Sequence, residues 1–313
     1  LFRSNWIVIM THKLIDLGHS HRKLLVIQKN KKDQIEFFFF KQKPASETDN
    51  YWDGLIADLP VLKRRWKLGQ GPIECLLPAV FFNHESRTVK KDGGIWETIE
   101  VAIHGSIGHK INRILERHGL EASFLGSSLT STIEVLRRHS LANPKKTLIL
   151  IVLAFSSTQG VLIQQGHIKK LEASYDCSSR ILDTLICSRW PQAAPDLTGI
   201  KQNELILLPI YRQEQELVEG FQKLRPYFEG ILDFLRNSFD HKILSEKKPQ
   251  PEILLSDGGS LVRNLNCYIQ GTLNIPCHRV ESAFFNQALE NPKGLADLTS
   301  IFNPLLAHAM LRD

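Results

Sequence analysis

Apolar and polar positions along the chain first resolve into a pair of short apolar runs around a polar turn. Ile15 to Ile27 reads IDLGHSHRKLLVI. Short apolar runs bounded by turn residues predict strand, tight turn, strand. Gly18 can take a backbone shape that other residues resist, and a bare turn lets another group come close. KLLVIQKNKKDQIEFFFFKQKP (Lys23 to Pro44) carries the pattern on as a hairpin stopped by Pro44. Its IEFFFF run is strongly β-prone and is expected as a covered strand, because exposure would invite aggregation. Trp52 to Gly69 has apolar residues at helical spacing and a glycine stop, which predicts a helix. GPIECLLPAVFFNHES follows as a strand region punctuated by prolines. Trp96 to His139 predicts a strand, a helix with Gly119 as its cap, a short strand EASFLGS and a second helix.

The second half repeats the logic. Thr147 to Tyr175, TLILIVLAFSSTQGVLIQQGHIKKLEASY, is again apolar strand, small-residue turn and hairpin. A duplicated, two-lobed α/β fold with a cleft between the lobes is the architecture this predicts. Gln213 to His241 is helical in pattern, with Pro226 implying a kink or two helices. Glu252 to Val280 predicts strand, Gly-Gly turn, helix and strand. The last segment closes as one or two helices, with Pro304 tolerable near a helix start. Lobe I is assigned to 1–145 with an insert at roughly 72–128, and lobe II to 146–292 with a helical subdomain at roughly 195–248 and a turn segment at 252–280. Residues 293–313 are expected as helices packing back towards lobe I.

Composition narrows the class. With 313 residues, 42% apolar and 23% charged, the chain is that of an ordinary globular protein large enough for two lobes. No run approaches the ~20 apolar residues that cross a bilayer, and the opening residues lack a signal-peptide layout. Five dispersed cysteines without a CxxC pair argue against a disulfide framework or a zinc site and fit a reducing compartment. His12, His19 and His21 near the first turn have no i, i+4 spacing and read as solvated. The net charge of +6 concentrates in LKRRWKLG, KNKK, RRH and KK clusters. Each reads first as a solvated face; together they suit an anionic membrane surface, and no nucleic-acid motif accompanies them.

Three small-residue turns stand in order: DLGHSHRK (Asp16 to Lys23), VLAFSST (Val152 to Thr158) and SDGGS (Ser256 to Ser260). With the hairpins and helices between them, they resemble the actin-like ATPase superfamily, in which two phosphate turns and an adenosine turn surround a nucleotide. Within it the chain is similar to the PilM family of type IV pilus assembly proteins and to the cytoplasmic domain of type II secretion protein L. Asp16, Gly18, Ser20 and Lys23 match the family's first turn. The Gly-Leu helix end, the strand–GG–Ser–helix segment with LNIPCHRV, and the closing LLAHAML also match. The resemblance implies an actin-like (ribonuclease H-like) duplicated fold with a central cleft. It implies ATP as the cofactor, magnesium only with ATP, and a cleft lined by Asp16, Gly18, Ser20, Lys23, Ser156, Ser157, Thr158, Gly258, Gly259 and Ser260. As partners it implies the cytoplasmic tail of a PilN-like single-pass inner-membrane protein and the assembly motor ATPase. It places the protein on the cytoplasmic face of the inner membrane.

The departures change the expected function. The family's second turn is D-x-G-x-S-S-T, and here Val152 and Ala154 stand where its Asp and Gly belong. The resemblance implies that this Asp holds the magnesium water shell or orients the attacking water. Valine has no acceptor oxygen for either task. Asp257 replaces the first glycine of the adenosine turn and puts a negative charge beside a polyanionic ligand. The expectation is a scaffold whose nucleotide site is degenerate and does not hydrolyse. The alternative is an active actin-like ATPase or a sugar-kinase-type phosphotransferase, which needs a carboxylate base in the cleft.

Overall fold

Two five-stranded sheets of the same order carry the two halves of the chain. The computed structural model describes residues 11–18, 21–29, 35–42, 50–69, 71–91, 94–143, 145–189, 191, 197–203, 215–244, 250–280 and 303–310. In the first half, β1 (Thr11–Leu17), β2 (Arg22–Lys29) and β3 (Ile35–Gln42) form an antiparallel meander. Helix α1 (Tyr51–Arg65) leads to β4 (Ile73–Leu77), which lies parallel to β1. A separate hairpin of β5 (Phe82–Lys91) and β6 (Gly94–Ile103) follows. Then come α2 (Gly105–Arg117), β7 (Ala122–Ser127) parallel to β4, and α3 (Ser128–Ala142). The sheet order is β3-β2-β1-β4-β7.

The second half retraces this path. Strands β8 (Thr147–Leu153), β9 (Thr158–Gln164) and β10 (His167–Ser174) form the meander. Helices α4 (Ser179–Arg189), α5 (Leu197–Asn203), α6 (Gln215–Ser238) and α7 (His241–Leu244) precede β11 (Glu252–Ser256), which pairs parallel with β8. Helix α8 (Leu265–Leu273) and β12 (Cys277–Arg279) complete the order β10-β9-β8-β11-β12. Helix α9 (Asn303–Met310) ends the described chain.

Local chemistry explains the element ends. Asn50 starts α1 by accepting the amide of Trp52 at 3.0 Å, and Lys63, Arg64 and Arg65 face the negative end of the helix. Gly119 takes φ +60° just beyond α2, where the Leu120 amide returns to the Leu115 carbonyl at 3.0 Å. β4 and β8 are buried along their whole length, as central strands covered on both faces must be.

Period-two alternation on the strands divides the core into layers. Ile149, Ile151 and Leu153 face outwards onto Phe228, Ile231 and Leu235 of α6. Leu148, Leu150 and Val152 face inwards, towards α3, α9 and the inner face of the first sheet. There Leu14, Leu25 and Leu76 meet Ile133, Leu136, Leu305 and Leu306. On the far side of the first sheet, Ile15, Leu17 and Leu77 pack against Leu55, Leu59 and Ile111 of α1 and α2. Helix α9 is further tied in by His308, whose Nε2 lies 3.0 Å from Oε2 of Glu74 and whose Nδ1 lies 3.3 Å from Oγ of Ser131.

Of the two readings at Pro226, a kink or two helices, the structure has a single helix, α6, running through it. A proline deletes one backbone hydrogen bond, but here Leu224, Tyr227, Phe228 and Ile231 are buried on both sides of it and hold the axis together. The IEFFFF run forms β3, at the edge of its sheet.

Candidate functional site

Strand register brings the two halves onto one pattern. In the first meander Asp16 opposes Lys23 and Leu17 opposes Arg22. In the second, Val152 opposes Gln159 and Leu153 opposes Thr158. Each turn between them is four residues long, 18–21 and 154–157. Position by position, Val152 is the counterpart of Asp16, Ala154 of Gly18, Thr158 of Arg22 and Gln159 of Lys23. Ser256 pairs with Val152, so the third turn begins beside the second with Asp257.

The three turns converge on one small cleft between the lobes. Asp16, Gly18 and Lys23 line it from the first lobe, and Val152, Ala154, Ser156, Ser157, Gln159 and Asp257 from the second. Its volume is ≈ 40 Å³. That is room for about one water molecule.

The first turn is braced from behind by buried charge. Arg22 Nε meets Asp58 Oδ2 at 3.0 Å, with both side chains almost fully buried. The same guanidinium donates to the carbonyls of Leu17 and Gly18 and lies over the Tyr51 ring at 5.2 Å. Tyr51 donates its own hydroxyl to the Leu17 carbonyl at 2.9 Å. With its carbonyls taken from behind, the turn presents Asp16 and Lys23 to the cleft. Lys23 Nζ and Asp16 Oδ2 are 2.5 Å apart and buried. Burial pushes the Lys23 ammonium down, but the carboxylates of Asp16 and Asp257 and its hydrogen bond to Asp16 outweigh it, and its pKa is raised. The group is a fixed cation.

The second turn is braced by backbone and hydroxyl. Thr158 Oγ1 donates to the Cys177 carbonyl at 2.8 Å, and the amides of Ser179 and Arg180 reach the carbonyls of Ala154 and Phe155 at 2.9 and 3.0 Å. Val152 is 6% exposed and belongs to the apolar layer between the sheets. Two polar atoms at the cleft, Ser157 Oγ and Gln159 Oε1, are buried without a hydrogen-bond partner.

The third turn closes on itself. Asp257 has φ 70° and ψ −173°, a region that is almost exclusive to glycine. Its Oδ1 accepts the Gly258 amide at 2.7 Å, and its carbonyl accepts the Ser260 hydroxyl at 2.6 Å. Burial pushes the Asp257 carboxyl up; Lys23 opposes this and Asp16 adds to it. Gly259 is needed for packing: a Cβ there would lie 2.6 Å from that of Leu153. At Gly18 a Cβ would lie 3.0 Å from the His21 carbonyl, so this glycine serves the tightness of its own turn.

No protein-family model matches the chain, and no curated protein is similar to it in sequence. Solved structures are similar in shape. The PilM–PilN type IV pilus biogenesis complex matches with a TM-score of 0.70 at 13% identity, over 97% of this chain and 98% of the other. MreB 5 of Spiroplasma citri bound to AMPPNP matches at 0.55 and 11%, over 96% of each chain. The ethanolamine utilization protein EutJ from Carboxydothermus hydrogenoformans matches at 0.53 and 12%, over 96% of this chain and 89% of that one. The chain has the actin-like ATPase fold.

Within that actin-like frame, the cleft brings together Asp16, Gly18, Lys23, Ser156 and Ser157 of the residues expected from the sequence. Gly258, Gly259, Ser260 and Thr158 are adjacent but are engaged with Asp257, Leu153 and Cys177. Ser20 lies outside the described residues. Gln159 was not foreseen as a cleft residue; the signal was its place seven residues after Val152, the spacing of Asp16 and Lys23. Among the described residues, the lining departs from what a nucleotide with magnesium calls for: the carboxylate position of the second turn is Val152, and two carboxylates face one ammonium.

Proposed function

We propose that the protein is an actin-like scaffold of a type IV pilus or type II secretion platform, working without nucleotide hydrolysis. The observation that carries this reading is the end-to-end match to the PilM–PilN complex, at a TM-score of 0.70 against 0.55 for the nucleotide-bound MreB 5. The chemistry of the cleft supports it, because the second turn offers an apolar side chain where hydrolysis calls for a carboxylate. The partner in this reading is the cytoplasmic tail of a PilN-like single-pass protein of the inner membrane, with the motor ATPase as a further contact. The scaffold itself is peripheral: among the described residues no helix is long and apolar enough to cross a membrane. The basic surface then lies towards the anionic inner leaflet.

Two assays test this. Titration with a synthetic tail peptide of the PilN-type protein from the same genome is expected to show saturable binding. Phosphate release from magnesium–ATP is expected to stay at the level of a protein-free blank. Turnover above the blank, lost in Lys23→Ala, would establish the active ATPase or phosphotransferase instead. Absence of tail binding in a folded sample would remove the pilus-type partner.

A further inference from the structure

We propose that Asp257 is a built-in substitute for a ligand phosphate, and that its carboxylate, meeting Lys23 across the cleft, holds the two lobes together without nucleotide. The proposal rests on the cleft being of nucleotide type and not on the identity of the assembly partner.

A phosphate at such a turn would be held by a turn amide and by the lysine ammonium. Here the Gly258 amide donates to Oδ1 of Asp257 at 2.7 Å, and Asp257 lines the cleft with Lys23. Both donors thus face anions that the chain supplies: the Gly258 amide meets Asp257, and the Lys23 ammonium meets Asp16 with Asp257 on the same cleft wall. Asp257 is held at φ 70° and ψ −173°, where a Cβ is costly. Such a conformation persists only where the surroundings over-determine it, and here the Gly258 amide bonds the side chain and the Ser260 hydroxyl bonds the carbonyl. Charge and space agree with this: Asp16 and Asp257 both line the cleft with Lys23, and the described cavity between them is ≈ 40 Å³. The two residues also come from different lobes and line the same cleft. Lys23 stands on β2 of the first sheet, and Asp257 follows β11 of the second. In a nucleotide-dependent relative the ligand would span the same gap; here a carboxylate does.

Asp257→Gly and Asp257→Asn of the full chain test this. Glycine relieves the backbone, and asparagine keeps the side-chain shape while removing the charge. The probes are a fluorescent ATP analogue with magnesium, inorganic phosphate, and small-angle scattering without ligand. Wild type is expected to bind neither probe below about 1 mM, and both variants to bind the analogue at least about tenfold more tightly. The variants should also show a larger radius of gyration. Variants with wild-type scattering and no gain in affinity overturn the proposal. Hydrogen exchange on wild type alone gives an independent arm: slow exchange of the amides of 16–23 and 256–260, unchanged by magnesium–ATP, is expected. Added protection there overturns the proposal even if neither variant folds. Tail-peptide binding on the same samples separates this question from the assembly role, since its loss with the cleft results intact sinks only that role.

Discussion

The turn after β1 and the turn after β8 have the same length, the same strand register and the same place in sheets of the same order. Their chemistry is opposite. The first exposes a charged pair, Asp16 and Lys23, to the cleft and is braced behind by a second, Arg22 and Asp58. The second places Val152 and Gln159 at the same positions and is braced by a threonine hydroxyl and backbone amides. A duplicated frame therefore fixes where groups are held, not what they do. The polar half kept its charges by pairing them. The apolar half joined the layer between the sheets, where an unpaired acid would be costly.

The largest effect should come from the brace of the first turn. Arg22→Ala removes the buried ion-pair partner of Asp58, and breaking a buried pair typically costs about 3–5 kcal/mol. Thr158→Val at the matching position removes one hydrogen bond to Cys177 and should cost about 1 kcal/mol. Urea denaturation of both variants measures the contrast, and equal losses would mean that the two braces are equivalent.

Val152→Asp ranks next. Val152 is 6% exposed, between Gln159 and Ser256 in register, and Lys23 already serves two carboxylates. A new carboxylate there should lower stability by about 2–4 kcal/mol and give no phosphate release from magnesium–ATP. If the variant were stable and turned ATP over, the difference between the turns would be a single residue deep.

Acid should act on lobe I through His84. Its Nε2 lies 2.8 Å from Ser127 Oγ, the cap of α3, and burial pushes the imidazole down to about 4, with the Phe82 backbone opposing slightly. The unfolded chain then binds a proton more readily than the folded one. Stability is complete above pH ~6.5 and falls as the pH drops towards 4, by about 2 kcal/mol after allowance for partial exposure. His84→Gln should flatten that part of the stability–pH curve; an unchanged curve would place the acid sensitivity elsewhere.

Much of this frame was legible in the sequence, because β8 and β11 announce themselves as continuous apolar runs and the turns by their small residues. The departures at Val152, Ala154 and Asp257 were legible too, against the pattern that the chain resembles. Pairings between distant residues were not. Arg22 with Asp58, and His308 with Glu74, are 36 and 234 residues apart, and nothing local marks them. Nor does DGG say that Gly259 is small because Leu153 is near, or that Asp257 adopts a glycine's backbone. Turn glycines signal close approach without saying whether a ligand or a leucine approaches.

The smallest effect is expected at Ser157, and it bears on what fills the cleft. Its Oγ is buried without a protein partner, as is Gln159 Oε1 nearby. A hydroxyl that makes no bond contributes its desolvation cost and nothing else, so Ser157→Ala should leave stability within about 0.5 kcal/mol of wild type, on the stabilising side. The cavity of ≈ 40 Å³ could instead hold a water that bonds Ser157, Gln159 and Asp16. Removing one of its partners would then cost about 1 kcal/mol or more. Denaturation of Ser157→Ala and Gln159→Leu separates the cases. Two near-neutral substitutions mean a dry remnant of a ligand site; two losses that fail to add mean one shared water, and a second turn that keeps a polar function its Val152 conceals.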